Sequence, residues 1–133
     1  MKKILVCGCR NFDDTDLLNI TLSNVLTELK DEKCEFVEGG AKGADSLAKK
    51  FAEEHGIPVK EFPADWKGYG RFAGPIRNKK MLEYCNTGNS MLVAFWDGKS
   101  KGTKNMINLA QRARLEIQIV NFSSNGGKGE ATR

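Results

Sequence analysis

Residues 37–48 read VEGGAKGADSLA and combine a strand end, a glycine turn and a helix start. The apolar run at 34–37 stops before Gly39 and Gly40, and a helical pattern begins at about Gly43. Glycine permits positive φ and lets a ligand approach the backbone without meeting a Cβ. The helix start adds unpaired N–H groups and the positive end of the dipole. The stretch is therefore typical of a phosphate or pyrophosphate site, with Lys42 as a charge at its rim.

A second interpretation of the same stretch is purely structural. Short glycine turns between strands and helices match phosphate motifs by chance. In that case the glycines serve the turn geometry, and Asp45 is an ordinary acid in the first turn of a helix. The rest of the chain has to decide between the two.

Length and composition indicate one globular domain. The chain has 133 residues, of which 40% are hydrophobic and 29% charged. The net charge of +4 suits an anionic small molecule, and the absence of a dense Lys/Arg run argues against nucleic acid as the partner. No apolar run approaches the roughly 18 residues of a membrane span, and no signal peptide is evident. We therefore expect a cytoplasmic protein with no membrane partner.

The cysteines predict neither disulfides nor a zinc site. Cys7, Cys9, Cys34 and Cys85 include no C-x-x-C pair, and His55 is the only histidine. Zinc sites need closely spaced Cys and His ligands. We expect reduced, mostly buried thiols, no bound metal and no cofactor.

Strands and helices are predicted to alternate along the chain. Apolar runs predict strands at 3–8, 34–37 and 90–96, and residues 57–62 and 116–121 are also predicted to be strands. Helical spacing predicts helices between them. Residues 63–74 are predicted to form a long loop, and 123–133 a disordered tail after a domain at 1–122. Alternation implies parallel pairing and right-handed crossovers. The predicted fold class is α/β, a three-layer sandwich with a mainly parallel central sheet.

Ligands of such sheets lie beyond the carboxyl ends of the strands. That rule brings together segments 8–11, 39–45, 63–78 and 97–103, which hold most of the unusual polar and glycine residues. The predicted ligand-binding residues are Gly8, Cys9, Arg10, Gly39, Gly40, Lys42, Gly43, Ala44, Asp45, Trp66, Tyr69, Arg71, Arg77, Asn78, Asp97, Gly98, Gly102 and Thr103.

Two arginines carry most of this prediction. Arg77 falls on the first turn of a predicted helix, where a cation opposes the dipole unless an anion or a carboxylate lies opposite. Arg10 follows the first strand, either as a fork for phosphate or as a plain surface residue. Segment 97–103 repeats the strand–glycine–helix pattern, with Lys99 and Lys101 beside it, and is a second candidate phosphate site.

Three aromatic residues lie in the predicted loop. Trp66, Tyr69 and Phe72 can stack on a nucleobase or seal the loop against the body of the protein. We expect Tyr69 to face the ligand and Phe72 to seal the loop.

Several motifs together resemble a known family. They are CGCRNF at 7–12, EGGAKGAD at 38–45, FPADW at 62–66, GRFAGPIRN at 70–78, Met81 and the pair Gly102-Thr103. In this order they look like the SLOG superfamily, the Rossmann-like group that joins Smf/DprA to the LONELY GUY enzymes, and they resemble its small stand-alone branch related to YspA and YpsA. The resemblance covers about residues 3–121.

The resemblance implies a Rossmann-like fold, a nucleotide or nucleotide-derived ligand and a homo-oligomer, dimeric or larger. It implies that the turn 39–45 holds phosphate or ribose and that Gly102-Thr103 is a second phosphate contact. Arg77 falls where the LONELY GUY enzymes have the arginine of R-K-x-x-M; here the stretch reads RNKKM.

Two positions depart from the family pattern. Met106 stands where the LONELY GUY motif P-G-G-x-G-T-x-x-E has its glutamate, and a thioether cannot act as an acid or base. If the protein is an enzyme, Arg77 and Asp45 are the catalytic candidates, and Asp65 or Asp97 can also replace the glutamate. Cys9 stands where the branch often has serine, so a hydroxyl contact is lost or weakened.

Three functions remain at this point. The favoured one is a sensor or sequestering protein for a nucleotide-derived signal, ADP-ribose-like or cyclic, as would suit phage or bacterial defence. The second is a hydrolase of the N-glycosidic phosphoribohydrolase type. The third, least favoured, is single-stranded DNA binding, against which the modest net charge argues.

Overall fold

The computed structural model describes residues 1–30, 32–123 and 130–132. They form a six-stranded sheet with helices on both faces. The strands are β1 (Lys2–Gly8), β2 (Cys34–Glu38), β3 (Val59–Glu61), β4 (Ser90–Trp96), β5 (Glu116–Asn121) and β6 (Glu130–Thr132). The helices are α1 (Thr15–Leu29), α2 (Ala44–Glu54), α3 (Trp66–Tyr69), α4 (Ala73–Cys85) and α5 (Lys101–Arg112).

The strand order β3-β2-β1-β4-β5-β6 confirms the predicted α/β sandwich. Strands β1 to β5 pair in parallel, and β6 pairs antiparallel with β5. The chain runs outward from β1 through β2 to β3, then returns to the other side of β1 to form β4. The switch point between β1 and β4 opens a crevice at the carboxyl edge of the sheet.

Two apolar layers explain why β1 and β4 are continuous apolar runs. Ile4 and Val6 face one layer, which includes the buried side chains of α1 and α2. Leu5 and Cys7 face the other, which includes those of α4 and α5. A strand covered on both faces needs apolar residues at every position. Both helical layers bring helix N-termini to the carboxyl edge.

The predicted loop at 63–74 is wrong. It contains α3, a 3₁₀ turn at Gly70–Phe72 and the first residues of α4. The Asp65 carboxylate caps α3 by accepting a 2.9 Å hydrogen bond from the N–H of Gly68. Pro75 lies in the first turn of α4, where its missing donor costs nothing. The helix begins at Ala73, inside the predicted loop. The glycine and aromatic content of the segment hid these short helices from a periodicity argument.

Residues 124–129 and 133 of the predicted tail lie outside the described residues. Within it, Glu130–Thr132 pairs with β5, which satisfies backbone groups that an edge strand leaves open. In the described part of the chain, no helix is long and apolar enough to cross a membrane.

Candidate functional site

A cavity of about 580 Å³ opens at the switch point between β1 and β4. Its volume falls within the range of small-molecule sites, about 300 to 1,000 Å³. The end of β1 and the starts of α2, α4 and α5 all contribute to its wall. The lining residues are Cys7, Gly8, Cys9, Arg10, Asn11, Ala41, Asp45, Trp66, Arg71, Gly74, Pro75, Arg77, Asn78, Met81, Asp97, Ser100, Lys101, Gly102 and Thr103.

A smaller cavity of about 480 Å³ lies beside the first. Arg10, Ala41, Trp66 and Arg77 line both cavities and so form the junction between them. The remaining wall of the smaller cavity comes from the glycine turn after β2 and from the chain before α3, namely Gly39, Gly40, Lys42, Pro63 and Ala64.

The structure brings most of the predicted site residues to these two cavities, but it leaves four out. Gly43 packs against the backbone of the chain after β1, and Ala44 is buried against Gly8. Tyr69 and Gly98 are exposed and line neither cavity. Gly43 and Ala44 therefore shape the turn, while Tyr69 does not take the ligand-facing place expected of it.

Several lining residues were not predicted from the sequence. Ser100 caps α5 and lines the larger cavity, and its place just before a helical run is a recognisable capping signal. Cys7, Asn11, Gly74 and Met81 also line the larger cavity. All four belong to the motifs quoted above, although none was among the predicted ligand-binding residues.

The glycine turn after β2 is filled by two carboxyl groups of the protein itself, and burial followed by the neighbouring Glu61 raises the pKa of one of them, Glu38, to about 8. The N–H groups of Gly39 and Ala41 donate to Asp45 Oδ2 at 3.0 and 3.2 Å, and that of Gly40 donates to Glu38 Oε1 at 2.6 Å. These are the N–H groups that the sequence offered to a phosphate. Asp45 occupies that place in the structure described here, so an anionic ligand must bind beside this turn or displace the carboxylate.

Arg77 is held against this turn. Its Nη1 donates to the carbonyl of Gly39 at 2.5 Å, and its charge lies close enough to Asp45 to act on that carboxyl. The expected carboxylate opposite the arginine is thus present. Burial raises the pKa of Asp45 to about 6, although the hydrogen bonds of the turn and the Arg77 guanidinium lower it.

Asn78 connects the loop after β2 with the loop after β4, the two candidate phosphate-binding segments. Its side-chain oxygen accepts from Arg77 Nε at 3.0 Å, and its nitrogen donates to the carbonyl of Gly102 at 3.2 Å and to Asn105 at 2.9 Å. A continuous chain of hydrogen bonds therefore runs from Gly39 through Arg77 and Asn78 to Gly102. Because α4 begins at Ala73, Arg77 and Asn78 lie in its second turn, and the expectation that Arg77 lies on the first turn is wrong. This second turn fixes the distance between the two loops.

The loop after β4 is closed by Asp97. Its Oδ1 accepts from the N–H groups of Lys99 and Ser100, both at 2.8 Å. Partial burial alone would raise the pKa of Asp97, but these N–H donors and the Cys9 thiol outweigh it and hold the pKa below its usual value. Within the described residues, the N–H groups of Lys101 and Gly102 at the start of α5 have no hydrogen-bond partner, and both residues line the larger cavity.

The aromatic residues of segment 63–74, which was predicted to be a loop, lie in surroundings that differ from those we expected. Phe72 is 58% exposed and seals nothing; the Arg71 guanidinium lies 5.0 Å from its ring centroid. Trp66, 48% exposed, lines both cavities, and the Arg10 guanidinium lies 5.2 Å from its ring centroid. A stacking surface is thus available at the junction, and Trp66 supplies it.

The cysteines of the site are unreactive by their surroundings. All four cysteines are free and buried. Burial, and next the Asp45 carboxylate, raise the pKa of Cys7 well above its usual value, and burial also raises that of Cys9. A thiol kept protonated is a poor nucleophile.

Met106, at the position of the missing glutamate, is fully buried among the apolar side chains under α5. It lines neither cavity. In the described residues, no group of His, Cys, Asp and Glu side chains could hold a metal ion. Asp45 is the carboxyl with a raised pKa that lines the larger cavity.

The geometry as a whole suits an anion. The N-termini of α2, α4 and α5 meet at one cavity, and Arg10, Arg71, Arg77 and Lys101 line it. Helix N-termini and cationic side chains both favour negative charge.

Comparison with known proteins gives a match to the family described as "YspA, cpYpsA-related SLOG family" over residues 2–69. The chain belongs to the SLOG superfamily. The expected resemblance to the YspA-related branch is confirmed. This SLOG protein is also 31% identical over 127 residues to "Gene 61 protein" of Mycobacterium phage D29, a match that covers 92% of this chain and 97% of the phage protein. SLOG membership indicates a nucleotide-related role, in binding or in processing.

Proposed function

We propose that this SLOG protein binds a nucleotide or nucleotide-derived molecule in the cavity at the switch point and acts as a sensor or a sequestering protein. The single observation that supports this best is the meeting of three helix N-termini with several cationic side chains around one cavity of nucleotide size. Arg10, Arg77 and the open N–H groups of Lys101 and Gly102 bind the phosphate, and Trp66 stacks on the base.

Binding without turnover is favoured because the site has few groups for catalysis. The glutamate that serves hydrolysis in the LONELY GUY motif is replaced by Met106, which lies in the core. The Cys7 and Cys9 thiols stay protonated. Capture of a signalling nucleotide would suit a phage or bacterial defence role, and the phage relative agrees with such a setting. A homo-oligomer remains a prediction.

Hydrolysis remains the second candidate, because Asp45 has one property of a general acid. It lines the cavity, and its pKa of about 6 lies close to neutral pH. Arg77 beside it would stabilise a leaving phosphate. Incubating the protein with a bound nucleotide and analysing the products separates the two functions: intact ligand indicates capture, and free base with sugar phosphate indicates hydrolysis.

A thermal-shift screen tests the proposal with the full chain. AMP, ADP-ribose, NAD and cyclic dinucleotides are each added at rising concentration. A ligand at a hundred times its Kd adds about 2.7 kcal/mol, a rise in Tm on the order of 10 °C. If every nucleotide leaves the Tm unchanged, the proposal is wrong.

Two variants locate the binding site. Arg10→Ala removes an exposed side chain of the junction, so the fold should remain intact, and the ligand-induced shift should fall sharply. Arg77→Ala should abolish the shift. Arg112→Ala, which removes an exposed arginine from the far end of α5, is the matched control and should keep the full shift. An unchanged shift in both Arg10→Ala and Arg77→Ala would place the ligand elsewhere.

A further inference from the structure

We infer that the ligand spans both cavities and carries a second phosphate, which Lys42 binds in the smaller one. The ligand is then a molecule with two phosphate-bearing parts, such as a dinucleotide, rather than a mononucleotide. This inference rests on the proposed function, since it concerns the same site and the same class of ligand.

The cationic side chains are divided between the two cavities. Arg71 and Lys101 line only the larger cavity, and Lys42 lines only the smaller one. Arg10 and Arg77 lie at the junction and line both. Each cavity thus has cationic side chains of its own in addition to a shared pair, an arrangement that fits two anionic groups better than one.

The described wall of the smaller cavity lacks an acidic side chain opposite Lys42. None of the described residues that line the smaller cavity is acidic, and Lys42 forms no ion pair within the described part of the chain. The nearby carboxylates are engaged elsewhere: Glu38 and Asp45 accept from the glycine turn, and Glu61 pairs with Lys49 at 3.4 Å. Arg77 has the Asp45 carboxyl beside it, but no ion pair to Arg10 or Lys42 exists within the described part of the chain. These two charges repel each other unless an anion binds between them.

The backbone of the glycine turn that lines the smaller cavity is already occupied by hydrogen bonds within the protein. The N–H groups of Gly39, Gly40 and Ala41 already donate to carboxylates and are not available to a phosphate. Side chains therefore take the larger part in recognising an anion here, and Lys42 is the cation that lines this cavity and not the larger one. Arg77 uses Nε and Nη1 within the protein, which leaves other N–H donors of its guanidinium for the linking part of the ligand.

Calorimetric titration of the full chain tests the inference. The four nucleoside 5′-monophosphates serve as probes with one phosphate group, and 5′-phosphorylated dinucleotides, ADP-ribose and NAD as probes with more than one. We expect at least one probe of the second set to bind about tenfold or more tightly than the monophosphate it contains, because one charge-assisted contact is gained. Lys42→Ala should remove this gain and leave monophosphate binding unchanged.

Lys50→Ala is the matched control. Lys50 is an exposed lysine of α2 that lines neither cavity, so its removal changes the net charge equally and should preserve the tenfold preference. Both lysines are exposed, and the Tm of each ligand-free variant should match that of the parent.

The possible failures differ from one another. If monophosphates bind as tightly as the larger probes, or if Lys42→Ala leaves the preference intact or weakens both sets equally, the second phosphate site is wrong while the proposed function stands. If no probe of either set binds, both are wrong.

Discussion

The loop after β2 and the loop after β4 follow the same sequence logic, yet their aspartates end in different electrostatic states. In each, an aspartate accepts two backbone N–H groups of its own loop. Asp45 is buried between β1 and Arg77, and its pKa is raised to about 6; Asp97 stays partly exposed, and its pKa is lowered. The first loop is therefore a closed turn with a proton-sensitive carboxyl, and the second is a charged cap in front of an open helix start.

These two loops show that a glycine turn is not by itself a phosphate site. Its N–H groups bind a ligand only where no carboxylate of the same chain reaches them first. In this protein the N–H groups of Lys101 and Gly102 at the start of α5 are open to the larger cavity. The positive charges around that cavity come from Arg10, Arg71, Arg77 and Lys101. The comparison can be tested by changing one loop and using the other as its control.

The largest effect on stability is expected when alanine replaces the positive-φ glycine of the first loop, with the same change in the second loop as its control. Gly43 and Gly98 have similar φ values, +82° and +81°. A Cβ on Gly43 would also meet the backbone carbonyls of Cys9 and Arg10, whereas a Cβ on Gly98 meets nothing within 4 Å. Gly43→Ala should lower the free energy of unfolding by roughly 3 kcal/mol or more, and Gly98→Ala by about 1 kcal/mol. Urea unfolding measures both; equal losses would contradict the tight packing of the first loop.

A smaller effect is expected where the two loops are joined. Asn78→Ala removes the link between Arg77 and the Gly102 carbonyl and leaves buried polar groups unpaired, at a cost of about 2 kcal/mol. Ligand affinity should fall as well, because Arg77 loses its support. Asn86→Ala, an exposed asparagine at the end of α4, provides the control in the same urea and calorimetry measurements. A normal affinity in Asn78→Ala would show that the loops act independently.

Lowering the pH from 7.5 to 5 should change the contribution of Asp45 to the free energy of unfolding but not that of Asp97. The pKa of Asp45 is raised in the folded protein, so its contribution to stability is fully present below its unfolded value near 4 and is lost as the pH rises through about 6. From pH 7.5 to 5, the parent should therefore gain about 1 kcal/mol relative to Asp45→Asn.

Asp97 has a lowered pKa, and its contribution is present above the unfolded value and is lost only as the pH falls through the folded one. The difference between the parent and Asp97→Asn should hence stay constant from pH 7.5 to 5. Urea unfolding at several pH values checks both variants. A constant difference for Asp45→Asn as well would mean that Asp45 is not held in a desolvated site.

The smallest effect is expected at the start of α5. A Cβ on Gly102 meets nothing within 4 Å, and alanine is a better helix former. Gly102→Ala should raise the free energy of unfolding by about 0.5 to 1 kcal/mol, measured by urea unfolding. The affinity for the ligand should fall, because the added methyl group keeps the phosphate farther from the Gly102 N–H. A loss of stability would contradict the open helix start.

Much of this protein was determined by the sequence itself. The continuous apolar run at 90–96 predicted β4 with the bounds that the structure gives, because a strand buried on both faces is apolar throughout. The strand predicted at 116–121, which is β5, also has the observed bounds. The alternation of strands and helices predicted the parallel sheet, and the motifs predicted the SLOG family. Glycines and charges at strand ends predicted which segments meet at one edge.

Only the tertiary structure decided what those segments do there. No local pattern places Asp45 within reach of Gly39 and Arg77, directs Arg77 to a carbonyl instead of the solvent, or buries Met106 in the core. These outcomes depend on how α2, α4 and α5 approach the sheet, and that approach is set by side-chain packing between residues far apart in the chain. A sequence names the donors and charges of a site, but burial and the distances between elements decide which of them remain free for a ligand.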